Sequence, residues 1–193
     1  MRINPTNQHW TVQEAQQVVF LFTKAPTEPV QLRCDLNGKN ASVEIIGIIM
    51  LGALPVLRLD LHVTHAAPDT ISKITLVSVL KGNAAQEVQG KISIQKGAKR
   101  ADGFLSHRTL TLSPGVKSIS VPTLEIEEDD VKAGHAGATG PIDKEQLFYL
   151  QSRGLAARQA EAIIAEGFLE QVISKISDMV IREKVMQELW HSK

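Results

Sequence analysis

Apolar and polar residues alternate in short runs over residues 31–127, and no stretch of helical period separates these runs. In the run LRLDLHV at residues 57–63, every second residue is aliphatic. Turn signals such as Asn-Gly at 37–38 and Pro-Gly at 114–115 stand between the runs. A period of two predicts half-buried β-strands, and the missing helices argue against an alternating β/α fold. Two mainly β folds fit, an antiparallel sandwich and a β-helix of stacked coils.

The composition favours the β-helix of these two folds. Hydrophobic residues make up 43% of the 193 residues, but aromatic residues only 4%. The core must therefore consist of aliphatic side chains, which suit the ladders inside a narrow β-helix. A chain of this length fits one domain, or one domain with an appendage.

The period changes from two to that of a helix near residue 143. Asp143 and Gln146 form a capping-box pattern, and Gly154 is a typical helix stop. A second helix is predicted over about 156–176, in which Gly167 suggests close packing, and Asp178 can cap a third. The predicted organisation is a lead-in segment over 1–30, a β-helix core over 31–141 and a helical region over 142–193. A helical unit this small should dock on the β part, on a partner or on both.

Charge and cysteine content exclude several classes of function. Lys and Arg total 21, as do Asp and Glu, so the chain lacks the basic excess of a nucleic-acid binder. The apolar run at 45–57 is shorter than the roughly 18 residues a membrane span needs and contains two glycines and a proline, which favours buried strands. No targeting segment is apparent, so a cytoplasmic protein is predicted. The single cysteine, Cys34, fits a small buried residue better than a nucleophile.

The stretch DDVKAGHAGATG at 129–140 places His135 among glycines and alanines. Two interpretations fit it: a residue of a tight turn, or a metal ligand whose co-ligands come from elsewhere. The acidic run at 125–130 fits a solvated strand edge. His62 and His65 should face opposite sides of one strand, and His107 should precede the next strand. Neither a phosphate loop nor a nucleophile elbow occurs, so the sequence gives no support to an enzyme.

Four strings occur in an order that carries a resemblance: HAAPDTIS at 65–72, GKISIQKGA at 90–98, PTLEIEEDDVKAGH at 122–135 and IDKEQLFYLQSRGL at 142–155. In this order they resemble the core of the SufB/SufD family, the scaffold proteins of the SUF iron–sulfur assembly system. The chain looks nearer to SufD than to SufB. The similarity covers roughly residues 65–176 and is densest over 122–168.

The resemblance implies a right-handed parallel β-helix followed by C-terminal helices, in a scaffold rather than an enzyme. It implies a SufC-like ABC ATPase as partner, bound by the helical region 142–193, with Tyr149, Gln151, Arg153 and Gly154 in the matching segment. It also implies pairing with a SufB-like chain or with itself. His135 matches the histidine of the DVKxxH motif, a candidate ligand of a transient iron–sulfur cluster at the chain junction.

The sequence departs from the family pattern at three points. Many SufD relatives carry Cys where this chain has Ala133, and SufB-type chains carry Glu where it has Gly137. Family scaffolds are also commonly longer at the N-terminus. The expected function is therefore a SufD-like subunit that supports a cysteine-bearing SufB-like chain. The alternative is a homo-oligomeric ATPase-binding module without cluster chemistry.

Overall fold

A computed structural model describes residues 1–52 and 55–190, which form eleven strands and three helices. The strands make two sheets in which every pairing is parallel. The six-stranded sheet contains β1 (Arg2–Ile3), β3 (Ala15–Phe22), β5 (Ser42–Leu51), β7 (Ile71–Leu80), β9 (Asp102–Thr111) and β11 (Lys132–Pro141), in that order. The five-stranded sheet contains β2 (Gln8–Val12), β4 (Val30–Leu36), β6 (Leu57–His65), β8 (Ala85–Ile94) and β10 (Lys117–Ile126).

From β2 onward, consecutive strands alternate between the two sheets, so the chain winds as a parallel β-helix. The predicted mainly β fold with a helical C-terminal region is confirmed, and the antiparallel sandwich is wrong. Leu59 pairs with Val30 and with Val88, each 29 residues away, whereas Asp102 pairs with Ile71 and Lys132, 31 and 30 residues away. The repeat is not visible in the sequence because the number of residues per coil varies.

The β-helix begins before residue 31. Strands β2 and β3 lie within the segment predicted as a lead-in, and they pair with β4 and β5. Residues 18–22 of β3 are apolar without interruption because both of its faces are buried. Phe20 and Phe22 face the core between the sheets, whereas Val19 and Leu21 pack beneath the C-terminal helices.

The three helices are α1 (Lys144–Ser152), α2 (Ala157–Ile173) and α3 (Met179–Trp190). Asp143 accepts hydrogen bonds from the Glu145 and Gln146 backbone N–H groups, and Asp178 caps α3 in the same way. Gly154 ends the first helical segment at a φ of +93°. These caps and the three helices agree with the sequence prediction.

Helices α2 and α3 dock on the outer face of the six-stranded sheet. Leu169, Ile173 and Val185 join one apolar cluster with Ile46 and Val77 of that sheet. The predicted role of Gly167 is wrong, because it is exposed and no atom lies within 4 Å of where its Cβ would stand. None of the helices in the described part of the chain is long and apolar enough to cross a membrane.

The Gln17 side chain fastens the α2–α3 connection to β3. Its amide donates to the Lys175 carbonyl at 2.9 Å, and its oxygen accepts from the Ser177 backbone N–H at 2.9 Å. At the far end of the same sheet, Lys81 pairs with Glu161 at 2.8 Å. Polar contacts thus fix the helices on the sheet in addition to the apolar cluster.

Two predicted segments extend beyond the described residues. These are Ala53 and Leu54 of the apolar run at 45–57, and residues 191–193 of the predicted helical region.

Gly47 gives the first test of this packing. A Cβ added to Gly47 would overlap the Phe20 ring on one neighbouring strand and Leu76 on the other. We expect Gly47→Ala to lower the free energy of unfolding by about 1–3 kcal/mol through overpacking. Gly167→Ala is the matched control and should raise it by about 1 kcal/mol, because an exposed helix interior favours alanine. Urea unfolding of both variants measures the difference, and equal effects would contradict the stacked core.

Candidate functional site

The last coil of the β-helix, formed by β10 and β11, presents an open end. Within residues 1–52 and 55–190, β10 pairs only with β8 and β11 pairs only with β9, so each strand has a free edge. Apolar side chains on β10 are exposed, with Ile119 at 55% and Val121 and Ile126 close behind. Long, partly apolar free edges readily pair with another chain unless something covers them.

His135 lies on β11 and forms the end of a side-chain ladder. Its register partner is Leu105, and the same ladder continues below through Ile74 and Ile45, which are buried in the core. Because paired residues of parallel strands point to the same side, His135 projects over the open end of the core while remaining exposed. The turn interpretation of this stretch is wrong, because residues 132–141 form a strand.

The residues beside His135 on β11 supply no further ligands. Ala133 and Gly137 are the neighbouring positions on the same face of the strand. Among the described residues, no group of three or more His, Cys, Asp or Glu side chains is placed to hold a metal ion. The histidine therefore stands alone on β11 as a nitrogen donor.

Cys34 is a core residue and does not reach this end. It lies on β4, fully buried, and it aligns with Val63 of β6. Burial, with a smaller contribution from Asp35, raises the pKa of its thiol to about 12. The thiol therefore stays protonated at neutral pH, whereas metal binding and sulfur transfer both need a thiolate. The prediction that Cys34 is buried is confirmed. The prediction that it is unreactive is consistent with the raised pKa.

The acidic run at 125–130 is only partly a solvated strand edge. Glu125 is exposed and pairs with Lys91 at 2.7 Å, and hydrogen bonds from Lys91 and Ser93 hold its pKa below the usual range. Glu128 is buried, and its carboxylate accepts a hydrogen bond from the Gly97 backbone N–H at 2.9 Å in the turn after β8. That hydrogen bond lowers the pKa of Glu128.

His62 and His65 face opposite sides of β6, as predicted, and His65 is wholly buried. The Thr70 hydroxyl donates to the Ala67 carbonyl, so the imidazole must donate to Thr70 from Nδ1, at 2.8 Å. Nε2 then accepts from Ser72 at 2.8 Å. Burial lowers the pKa of His65 to about 4, against the opposing attraction of Asp102. His65 is a neutral structural residue deep in the core.

The prediction that His107 precedes a strand is wrong. This histidine lies inside β9, pointing into the core, and is 2% exposed. Its Nε2 lies 3.0 Å from Ser78 Oγ and its Nδ1 lies 2.9 Å from Ser120 Oγ of the last coil. Burial alone lowers the pKa of His107 to about 4. The only signal in the sequence was its place in a polar-apolar alternation, and its partners come from β7 and β10, which local sequence cannot reveal.

The helical region carries the residues predicted to bind a partner. Tyr149, Gln151, Arg153 and Gly154 are all exposed at the end of α1, and the Arg153 guanidinium stacks over the Tyr149 ring at 5.2 Å. Helix α1 buries none of its residues, and Phe148 is 72% exposed. A shallow groove of about 430 Å³ lies beside Tyr149, lined by both α1 and Ile164 of α2. Exposed aromatic and arginine side chains are typical of binding hot spots.

The two buried histidines predict how stability depends on pH. Both imidazoles have a folded pKa of about 4 against an ordinary value of 6.5. As pH falls from about 6.5 to 4, the unfolded chain gains protons that the folded chain does not, so the free energy of unfolding decreases. Each histidine accounts for about 3 kcal/mol of this loss. Urea unfolding between pH 7.5 and 4.5 should show the loss, and His107→Asn should reduce its slope. An unchanged slope in the variant would contradict a neutral, buried His107.

Comparison with known proteins identifies a family. Residues 16–168 match the SUF system FeS cluster assembly, SufBD core domain. An iron–sulfur cluster assembly SufBD family protein of Mycobacterium leprae is 37% identical over 163 residues, covering 80% of this chain and 42% of that protein. One of Mycobacterium bovis is 36% identical over 162 residues, covering 80% of this chain and 41% of that protein. The chain spans about two fifths of the length of these relatives. With most of its length inside the core-domain match, the chain belongs to the SufBD family of the SUF iron–sulfur cluster assembly system.

Proposed function

We propose that this chain is a SufD-like scaffold subunit that pairs with a SufB-like chain and binds an ABC-type ATPase. The observation that carries the proposal is the position of His135 as the exposed last rung of a core ladder, between two free strand edges. At this position the imidazole of His135 can bind an iron that a second chain also ligates. The remaining ligands come from that second chain, because β11 offers only Ala133 and Gly137 beside the histidine.

The pairing surface in this proposal is the open end of the β-helix. The free edges of β10 and β11 offer backbone donors and acceptors to a partner strand, and Ile119, Val121 and Ile126 offer apolar area. A second β-helix stacked on this end would continue the ladders and cover these side chains. A second copy of this chain can occupy the same end, giving a homodimer.

The iron–sulfur cluster is cargo in this proposal, held for a short time at the junction. His135 contributes an imidazole, which suits iron. The thiolate comes from the partner, since the one cysteine of this chain is buried with a pKa of about 12. The chain is in this sense a structural and ligating subunit, and it needs no catalytic group of its own.

The ATPase binds at the helical region in this proposal. Phe148, Tyr149 and Arg153 supply an exposed aromatic and cationic surface, and the sequence holds no phosphate loop of its own. Arg108 of β9 donates to Gln171 of α2 at 2.9 Å and stacks over the Phe168 ring at 4.9 Å. Because β9 pairs with β11, a force applied to the helices during ATP hydrolysis acts on the strand next to His135. This contact gives a physical route for coupling the two sites.

The second candidate is a homo-oligomeric ATPase-binding module without cluster chemistry. The small side chains at Ala133 and Gly137 favour it, because they leave β11 with one ligand. The two candidates share both binding surfaces and differ only in the role of His135.

Replacement of His135 separates these candidates. In anaerobic reconstitution with a SufB-like chain and the ATPase, we expect His135→Ala to lower iron retained by the complex at least about tenfold, since even loss of a residue that orients a ligand costs about 10- to 100-fold. His9→Ala is the matched control, because His9 is exposed at the opposite end of the β-helix, beside Asp35. Iron content and visible absorption measure the effect. Equal cluster yield in both variants would favour the module without cluster chemistry.

A pair of reciprocal variants tests the two binding surfaces. Tyr149→Ala should weaken ATPase binding by about 10- to 100-fold, the loss typical of a hot-spot aromatic, while leaving scaffold pairing unchanged. Ile119→Lys should weaken scaffold pairing and leave ATPase binding unchanged, because it charges the exposed face of β10. Each variant controls for the folding of the other. Calorimetric titration with each partner would contradict the proposal if both variants lost both partners, or if neither lost any.

A further inference from the structure

His107 lies in the core beside the proposed cluster position. Its register partner on β11 is Gly137, which is two residues from His135, whereas His135 pairs with Leu105. His107 and His135 are therefore diagonal neighbours on the inner face of adjacent strands. Strands lie about 4.8 Å apart and two residues rise about 6.6 Å, so the Cα atoms of diagonal neighbours in a parallel pair are about 8 Å apart.

The glycine opposite His107 leaves the imidazole without a covering side chain from β11. Only the His107 carbonyl oxygen lies within 4 Å of where a Gly137 Cβ would stand. The imidazole contacts the last coil through its Nδ1, which lies 2.9 Å from the Ser120 hydroxyl.

The hydrogen bonds around His107 determine which of its nitrogens carries the proton. The Ser78 hydroxyl donates to Gln86 Oε1 at 2.9 Å, so it must accept from His107, and Nε2 carries the hydrogen. The Gln86 amide in turn donates to Ser118 and Thr109, which fixes its orientation. Nδ1 is then an unprotonated nitrogen whose lone pair points towards the open end. Its partner there is the hydroxyl of Ser120, an exposed residue of the edge strand β10.

We propose that His107 is a second iron ligand of this chain, which binds through Nδ1 at the open end beside His135. Ser78 and Gln86 are positioning residues that hold the proton on Nε2, as second-shell partners do at histidine metal sites. Binding exchanges the 2.9 Å hydrogen bond from Ser120 for a bond to the metal, and Nδ1 has no proton to release. The inference rests on the proposed function, because it places His107 at the same junction as His135. It changes that proposal by giving the chain two nitrogen donors, with the other ligands from the second chain or water.

Histidine-selective NMR of the ¹⁵N-labelled full chain tests this inference with Fe²⁺ alone as the probe, under anaerobic conditions. Before iron is added, we expect His107 to show the Nε2–H tautomer and His65 the opposite one. On titration with Fe²⁺, the ring signals of His107 and His135 should broaden together, at concentrations that leave His65 unchanged. His65 is the matched control, because it is equally buried and neutral but lies deeper in the core.

Three variants give the inference a second readout, in equilibrium dialysis with Fe²⁺. His107→Asn should weaken Fe²⁺ binding at least about tenfold, whereas His65→Asn should leave it within about twofold although both lower thermal stability. Ser120→Ala, at an exposed position, should keep or strengthen binding because it frees Nδ1. Loss of iron binding in Ser120→Ala would overturn the assignment of His107.

The outcomes separate this inference from the proposed function. Broadening of His135 without His107 would overturn the inference and leave the proposed role of His135 intact. Broadening of His107 without His135 would support the second ligand and remove His135 from the site. If Fe²⁺ affected neither ring, both the inference and the cluster role of this open end would be wrong.

Discussion

Parallel, in-register pairing of strands is the constraint on which the rest of this molecule depends. Each coil places its inward side chains directly above those of the coil before, so every core position belongs to a ladder. In residues 1–52 and 55–190, no strand pairs with the free edges of β10 and β11, so the last residue of each ladder is uncovered on that side. The final coil therefore exposes inward-facing residues, His135 among them, together with two free strand edges. The proposed junction follows from the way the fold ends.

The helical region covers one of the two sheets of the β-helix. Because α2 and α3 cover the outer face of the six-stranded sheet, the central parts of β3, β5 and β7 are buried on both sides, while β4, β6 and β8 keep largely polar outer faces. The helices are attached to the sheet by Gln17, Lys81 and Arg108 as well as by apolar packing. In the proposed complex, the ATPase binds the helices on the face of the stack and the second scaffold chain binds its open end. Arg108 joins α2 to β9, the strand next to β11.

Whether a strand is buried on one face or on both determines how well the sequence predicts it. The run at 57–63 alternates because β6 has one polar face, so a strand was predictable there, and the helix caps at Asp143 and Asp178 were predictable from local chemistry. Strand β3 was placed outside the predicted core because two buried faces remove the alternation. The 29- to 31-residue repeat shows only in the register. His107 could not be assigned because Ser78 and Ser120 contact it from two other strands, and Gln86 of a third strand orients Ser78.

Amide hydrogen exchange tests most directly whether the open end is where a second scaffold chain binds. The chain is compared alone and bound to a SufB-like chain, with peptides from β10 and β11 read against peptides from β2 at the opposite end. Exchange in residues 117–126 and 132–141 should slow on binding, while residues 8–12 should not change, because only the last coil gains backbone partners. Protection at β2, or no change in β10 and β11 despite stable binding, would contradict the account.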